Sequence, residues 1–394
     1  MQGFMNGFSV FFNQGFKLCA LKQAWYGNEG GILKVIIVGG GVMGMLQARE
    51  LALKGMDVVL LEKGICGTEA SWAGGGIISP LYPWRYAPPV TALAAWSQAY
   101  YPNLVQCLEA ESDIDPELTR HGLLMLSVDD EQDALVWSNS NTAWLESIEA
   151  EKIYQLEPNL RLGLSKGLWM PHVASVRNPR LLRSLRTWLD RHPGVEIIEG
   201  CQVSGLKETG SEISGIETCL HGTLDADQYV LCTGAWSSEV CGHENIKVEP
   251  VKGQMLVFSA RPGLVNRVVL SNGKYVIPRR DGLVVAGSTL EYCGFDRMTS
   301  EQAKNLLADM AIDLFPDLAS CQISHHWAGL RPGTSDGIPY IGRHPQFENV
   351  FVNAGHFRNG LVLAPASVHV LTSIMTGEAC QIDVAPYDPR IQRL

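Results

Sequence analysis

The chain has 394 residues, enough for two or three domains and a large buried core. Apolar residues make up 46% and charged residues 18%, which excludes an intrinsically disordered or collagen-like chain. Asp and Glu number 41 against 31 Lys and Arg, a net charge of −10; without a Lys/Arg run, such a field repels nucleic acid and anionic lipid.

The first 33 residues are rich in Phe, Asn and Gly and show neither the basic start nor the unbroken apolar stretch of a secretory signal. They read as an extension outside the folded domains, with an amphipathic docking helix as the alternative. From residue 34 the run KVIIV predicts a strand buried on both faces, and GGGVMG follows directly. Met45, Ala48, Leu51 and Ala52 then share one helical face, Gly55 supplies a stop, and DVVLLE predicts a second buried strand ending at Glu62. This is a complete parallel βαβ unit. Further on, residues 98–112 have helical periodicity, while HGLLMLSV, LVFSA, RVVLS, YVIPR and GLVVAGS read as strands of an antiparallel sheet. NPRLLRSLRTWLDRHPG is helical, and VEIIEG and QYVLCTG return to the buried-strand style of the first unit. Two domains therefore interleave along the chain.

Residues 359–377 carry no charge, but Asn359, Pro365 and His369 interrupt them, so no membrane span is expected. The ten cysteines form no C-x-x-C pair, which predicts no metal site and reduced thiols in a cytoplasmic protein. His325 and His326 are adjacent in a predicted strand and point to opposite faces, which also argues against a metal.

Gly39, Gly41 and Gly44 form G-x-G-x-x-G between strand and helix, with Glu62 roughly 20 residues further on, the full context of a dinucleotide fingerprint. Gly39 permits the turn, Gly41 lets the backbone approach a pyrophosphate, and Gly44 lets helix and strand pack closely. Glu62 can accept from ribose hydroxyls and disfavours a 2′-phosphate. The triple glycine at 74–76 has no preceding strand, so one dinucleotide site is expected; if the cofactor is FAD, this argues that the substrate itself is the reductant.

WAGLRPGTSDGIPYIGRHP from Trp327 and AGHFRNGLVLAPA from Ala354, taken with the βαβ unit and QYVLCTGAW, resemble the D-amino-acid oxidase family of FAD enzymes over residues 34–385. The resemblance implies an α/β fold: a Rossmann-like FAD-binding domain (34–90, 165–240 and 325–394) interleaved with an α+β substrate domain on a large antiparallel sheet (91–164 and 241–324). It also implies FAD contacts from Gly40, Gly41, Val42, Met43, Glu62, Lys63, Ala70, Ser71, Gly75, Gly76, Ile77 and Val203, and from His356, Phe357, Arg358, Asn359, Gly360, Leu361 and Val362. GLRPGTSD holds no cysteine, so noncovalent FAD is implied. After GHFRNG a helix begins, with Pro365 placed in its first turn; its N-terminus would stabilise negative charge on a flavin, the alternative being a buried core helix.

An amino acid brings a carboxylate, for which a planar bidentate donor is suited. Arg331, among apolar residues, fits that donor; the alternative is pairing with Asp336. Tyr275 matches a family tyrosine that helps hold the carboxylate, the alternative being an aromatic covering a strand. Arg358, by resemblance near the pocket mouth, could bind FAD or substrate. The implied reaction oxidises glycine, sarcosine or small D-amino acids by hydride transfer, giving an imine and oxoacid, with oxygen reduced to hydrogen peroxide. It needs no side-chain general base. Supply of the glycine imine for thiamine thiazole synthesis and a homo-oligomer are implied too. Three alternatives stay open: a D-amino-acid or sarcosine dehydrogenase passing electrons to a carrier, a flavin domain acting on tRNA, and a noncatalytic flavin-binding subunit.

Overall fold

The computed structural model describes residues 31–141 and 143–393. Residues 1–30 of the expected extension, Cys19 among them, lie outside the described residues. The strand Lys34–Val38 sits inside a six-stranded sheet ordered Tyr340–Arg343, Val350–Ala354, Gln228–Leu231, Lys34–Val38, Asp57–Glu62 and Val195–Glu199. Its pairs are parallel except for the antiparallel edge formed by Tyr340–Arg343 and Val350–Ala354. Alternation explains why its central strands read as continuous apolar runs. Val35, Ile37, Val58, Leu60 and Val230 face the helices Val42–Leu53, Pro88–Ser112, Asn178–Arg191 and Gly360–Thr376. Ile36, Val38, Leu61, Tyr229 and Leu231 face a small three-stranded sheet, Val203–Thr209, Glu212–Thr218 and Gly222–Leu224, that the sequence reading had not separated out.

The second large sheet has eight strands, ordered Gln322–Gly333, Glu249–Ser259, Leu283–Gly287, Lys274–Pro278, Val268–Ser271, Leu123–Leu126, Lys166–Met170 and Glu146–Glu149. It is antiparallel except where Val268–Ser271 runs parallel to Leu123–Leu126. Two strands differ from the expected boundaries: Lys166–Met170 and Gln322–Gly333 pair here, although 165–240 and 325–394 were assigned to the nucleotide-binding part. Lys166–Met170 is short and Gln322–Gly333 is polar over half its length, and the partner of each is set by other strands, which periodicity does not encode. One face of this sheet packs Leu256, Val276 and Ala286 on the helix Glu301–Leu314, and the other presents Met255, Tyr275 and Ile277.

A helix begins near residue 360 as expected, but Pro365 is not in its first turn. The helix spans Gly360–Thr376, so the proline falls in the second turn and leaves the Leu361 carbonyl without its helical donor. The helix Pro88–Ser112 repairs the gap: the Tyr101 hydroxyl donates to Leu361 O at 2.5 Å, and the displaced Ala366 N–H donates to Ser97 Oγ at 3.0 Å. The donor Tyr101 and the acceptor Ser97 come from the same helix, four residues apart. The stretch Phe357–Thr376 is long and apolar enough to cross a membrane, yet 72% of its most apolar window is buried inside the fold. Tyr101→Phe leaves a buried carbonyl without a partner and is expected to lower stability by about 1–3 kcal/mol in a urea titration, more than an exposed Tyr→Phe elsewhere.

Candidate active site

A cavity of about 800 Å³ opens where the carboxyl ends of the parallel strands meet the Tyr275 face of the second sheet, a volume in the range of small-molecule and cofactor sites. Gly39, Gly41, Val42 and Met43 line it from the first turn, and Glu62 and Lys63 from the end of the second strand. Ala70, Ser71, Gly75, Gly76 and Ile77 form another wall, with Val203 beside them. The seven residues 356–362, Arg358 included, line it as well, as do Tyr275 and Arg331.

Gly40 and Gly44, expected among the cofactor contacts, do not line the cavity; they build the turn. The Gly40 N–H donates to Glu62 Oε2 at 2.7 Å, and a side chain at Gly44 would overlap the Gly39 carbonyl oxygen. Gly39 has φ +106°, which favours glycine. The hydroxyl of Ser71 accepts from the Val42 N–H at 2.9 Å at the helix start. Glu62 accepts from Gly40 and Gly64 at 2.7 and 2.8 Å, one bond on each oxygen, leaving each a lone pair for a ribose hydroxyl. Arg279, outside the cavity lining, donates to the carbonyls of Gly75 and Val176 at 2.8 and 3.0 Å and so pins the glycine turn.

Polar groups without partners mark what the cavity is built to hold. Asn353 lines it, is 1% exposed, and leaves both side-chain polar atoms unbonded within the protein; Asn359 Nδ2 is buried and unbonded too. Such groups are costly unless a ligand satisfies them. His356 adds no charge, since burial pushes its imidazole down to about 3, and its Nε2 shares a hydrogen bond with Ser367 Oγ at 3.0 Å. The bare glycine turn, the acidic ribose acceptor, these orphan amides and the helix N-terminus at 360–362 together fit a flavin dinucleotide.

At the other end lies Arg331. Its Nη1 donates to Thr289 O at 3.2 Å and its Nη2 to Ser288 Oγ at 2.7 Å, and it makes no ion pair with a described carboxylate. Asp336, the alternative partner, accepts instead from the Ile338 N–H at 2.9 Å and lies 3.8 Å from Arg393. Burial draws Arg331 below the ordinary arginine value; Tyr275 opposes the shift and Arg358 adds to it. Tyr275 is 7% exposed; its oxygen accepts from the Arg331 guanidinium, and its O–H has only a weak contact with Met255 Sδ at 3.7 Å, so that proton remains available to a ligand. Glu291 also acts on Arg331, but its carboxylate is tied to Lys252 at 3.1 Å and Gln254 at 2.8 Å. Arg358 is exposed at the cavity. No group of His, Cys, Asp and Glu among the described residues could hold a metal ion.

Sequence reasoning missed Thr233, Gly234, Trp236, Ser288, Asn353 and Gly355, all of which line the cavity. Trp236 carries Lys63 Nζ over its ring at 2.8 Å from the centroid. The signal for Thr233 and Gly355 was present: each follows the carboxyl end of a parallel strand, where ligands bind in open α/β sheets. Gly44→Ala would drive a methyl into backbone on one side, which cannot yield cheaply. The expected result is a folded but FAD-poor protein, with affinity for added FAD reduced more than tenfold in a fluorescence titration.

The fold agrees with what known proteins show. Residues 34–374 match the DAO family, described as FAD dependent oxidoreductase. A glycine oxidase of Pseudomonas aeruginosa is 48% identical over 358 residues, covering 90% of this chain and 98% of that one. The crystal structure of glycine oxidase from Geobacillus kaustophilus superposes with a TM-score of 0.86 at 28% identity, covering 92% of this chain and all of that one. A bifunctional protein ThiO/ThiG of Synechocystis is 30% identical over 364 residues, 90% of this chain but 53% of that longer protein. With the family match spanning both sheets and the cavity between them, the chain belongs to the DAO family of FAD-dependent oxidoreductases.

Proposed function

We propose that the protein oxidises glycine, and with it sarcosine or small D-amino acids, to the imine with oxygen as electron acceptor. The observation that carries this reading is Arg331, a guanidinium directed into the cavity with two neutral acceptors and no carboxylate partner. A small substrate carboxylate is the group it lacks. The glycine oxidases among the relatives support the substrate class.

Tyr275 adds a hydroxyl donor beside the guanidinium, and the two hold the substrate at one end so that its α-carbon is fixed rather than merely near. Bound FAD supplies the hydride acceptor. The helix at 360–362 directs the positive end of its dipole into the cavity, stabilising negative charge that develops there. Leu81, Ile77 and Leu330 exclude water from the same space. The side chains near Arg331 bind and orient; Glu291, committed to Lys252, supplies no general base. Glu62, Lys63, Ser71, Asn353 and Asn359 are the residues we assign to FAD. The cavity cysteines Cys201 and Cys232 are buried with their thiols pushed up, away from the reactive thiolate, which supports noncovalent attachment.

The two-part relative supports a place beside a thiazole synthase, with the imine as the delivered product. The cysteines among the described residues form no disulfide, which supports a reducing cytosol, and we assign the protein there as a homo-oligomer.

Anaerobic glycine should bleach the flavin absorbance, and admission of air should restore it with one hydrogen peroxide per glycine. Bleaching reversed by a quinone and not by air would instead mark a dehydrogenase. Arg331→Lys keeps the charge but loses the fork, and should raise the KM for glycine roughly 10- to 100-fold with FAD content unchanged. Parallel loss of FAD would make the arginine structural.

A further inference from the structure

We propose that Gly253 sets the position of the Arg331 fork, and with it the affinity for the substrate carboxylate, by leaving a bare α-carbon under the guanidinium. The inference rests on the reading of Arg331 as the carboxylate anchor.

Strand alternation puts the two residues on one face. In the ladder between Glu249–Ser259 and Gln322–Gly333, Val251 lies opposite Arg331, Gly253 opposite Gly329 and Met255 opposite Trp327. Met255 in turn faces Gly287, which faces Tyr275, so Gly253, Arg331 and Tyr275 share the cavity side of the sheet. The Arg331 side chain crosses diagonally to its neighbour's position. A Cβ built on Gly253 would overlap Nη1, Nη2 and Cζ of Arg331 at nearly equal separations. Near-equal separation from three coplanar atoms places the methyl under the face of the guanidinium rather than at its edge. The fork therefore lies flat on the glycine.

The same stretch of strand fixes the fork from the side. Gln254 donates its N–H to Thr289 Oγ1 at 2.8 Å and accepts from the Thr289 N–H at 3.2 Å, and Thr289 O and Ser288 Oγ are the two acceptors of the guanidinium. Gly253 is the floor of the seat, Ser288 and Thr289 its wall, and the arginine seated there lines the cavity.

Gly253 is not among the glycines with positive φ, so its backbone accepts an alanine. The atoms an added methyl meets are the far end of a flexible side chain, so the arginine yields rather than the sheet. Restoring van der Waals contact moves the fork by about 1 Å or more. A misplacement of that size costs about 100-fold in catalytic efficiency.

The test compares FAD-loaded wild type, Gly253→Ala, Arg331→Lys and the double variant. Two quantities are read: steady-state kinetics with glycine, and the affinity for acetate, a bare carboxylate, from perturbation of the flavin absorbance. Gly253→Ala should retain FAD, lose about 100-fold in kcat/KM with most of the loss in KM, and lose acetate affinity in parallel. In the double variant the Arg331→Lys penalty should nearly vanish, because contacting residues are not additive. Intact acetate affinity in Gly253→Ala beside a loss in Arg331→Lys overturns the proposal and leaves the anchor standing, whereas intact affinity in both variants overturns the anchor itself. Fully additive penalties, or a Gly253→Ala protein that does not accumulate with FAD, would show the strand meeting the methyl and overturn the proposal too.

Discussion

A guanidinium drawn out of water and left without a carboxylate is an expensive group to place in a protein, and removing its charge partner elsewhere typically costs several kcal/mol. At Arg331 two neutral acceptors, Ser288 Oγ and Thr289 O, hold the group in place without neutralising it. The Glu291 carboxylate that could compete is occupied by Lys252, itself 5% exposed and also paired to Asp296 at 2.7 Å. The arrangement keeps a positive charge available in a water-poor cavity, where a charge-assisted pair is stronger than in solvent. The role of the second sheet follows from this: its first, second and fourth strands carry the arginine, the glycine beneath it and the tyrosine beside it on one face.

The nucleotide-binding sheet solves a different problem with similar economy of parts. Its βαβ turn strips side chains from the backbone so that a phosphate group can approach, and the helix after residue 360 brings a second set of free N–H groups from the other direction. That second helix contains a proline that would disorder its start in isolation. Tyr101 and Ser97 supply the missing hydrogen bonds, so the aim of the helix depends on packing against Pro88–Ser112. Here a local defect in the helical pattern is corrected only by the tertiary structure.

That dependence separates what was legible in the sequence from what was not. KVIIV, the glycine turn and DVVLLE were readable because each is local: strand, turn and helix chemistry sit within thirty residues of one another. Arg331 was readable as an apolar-context arginine, and its isolation from Asp336 needed the coordinates, since only the fold pairs Asp336 with Arg393. Lys166–Met170 was not read as a strand and Gln322–Gly333 only at His325 and His326, because each is fixed in the second sheet by partners outside its own segment: Leu123–Leu126 and Glu146–Glu149 for the first, Glu249–Ser259 for the second. Gly253 carried no signal at all: nothing in KGQMLVF announces that an arginine from another strand will rest on it.

The account stands on where a substrate carboxylate goes. The most direct measurement is a crystal structure of the FAD-loaded protein with acetate bound. It should show the carboxylate on the open N–H groups of Arg331 with the Tyr275 hydroxyl beside it, and the guanidinium still resting on Gly253. Acetate held by other residues, or an Arg331 turned onto a protein carboxylate, would contradict the account.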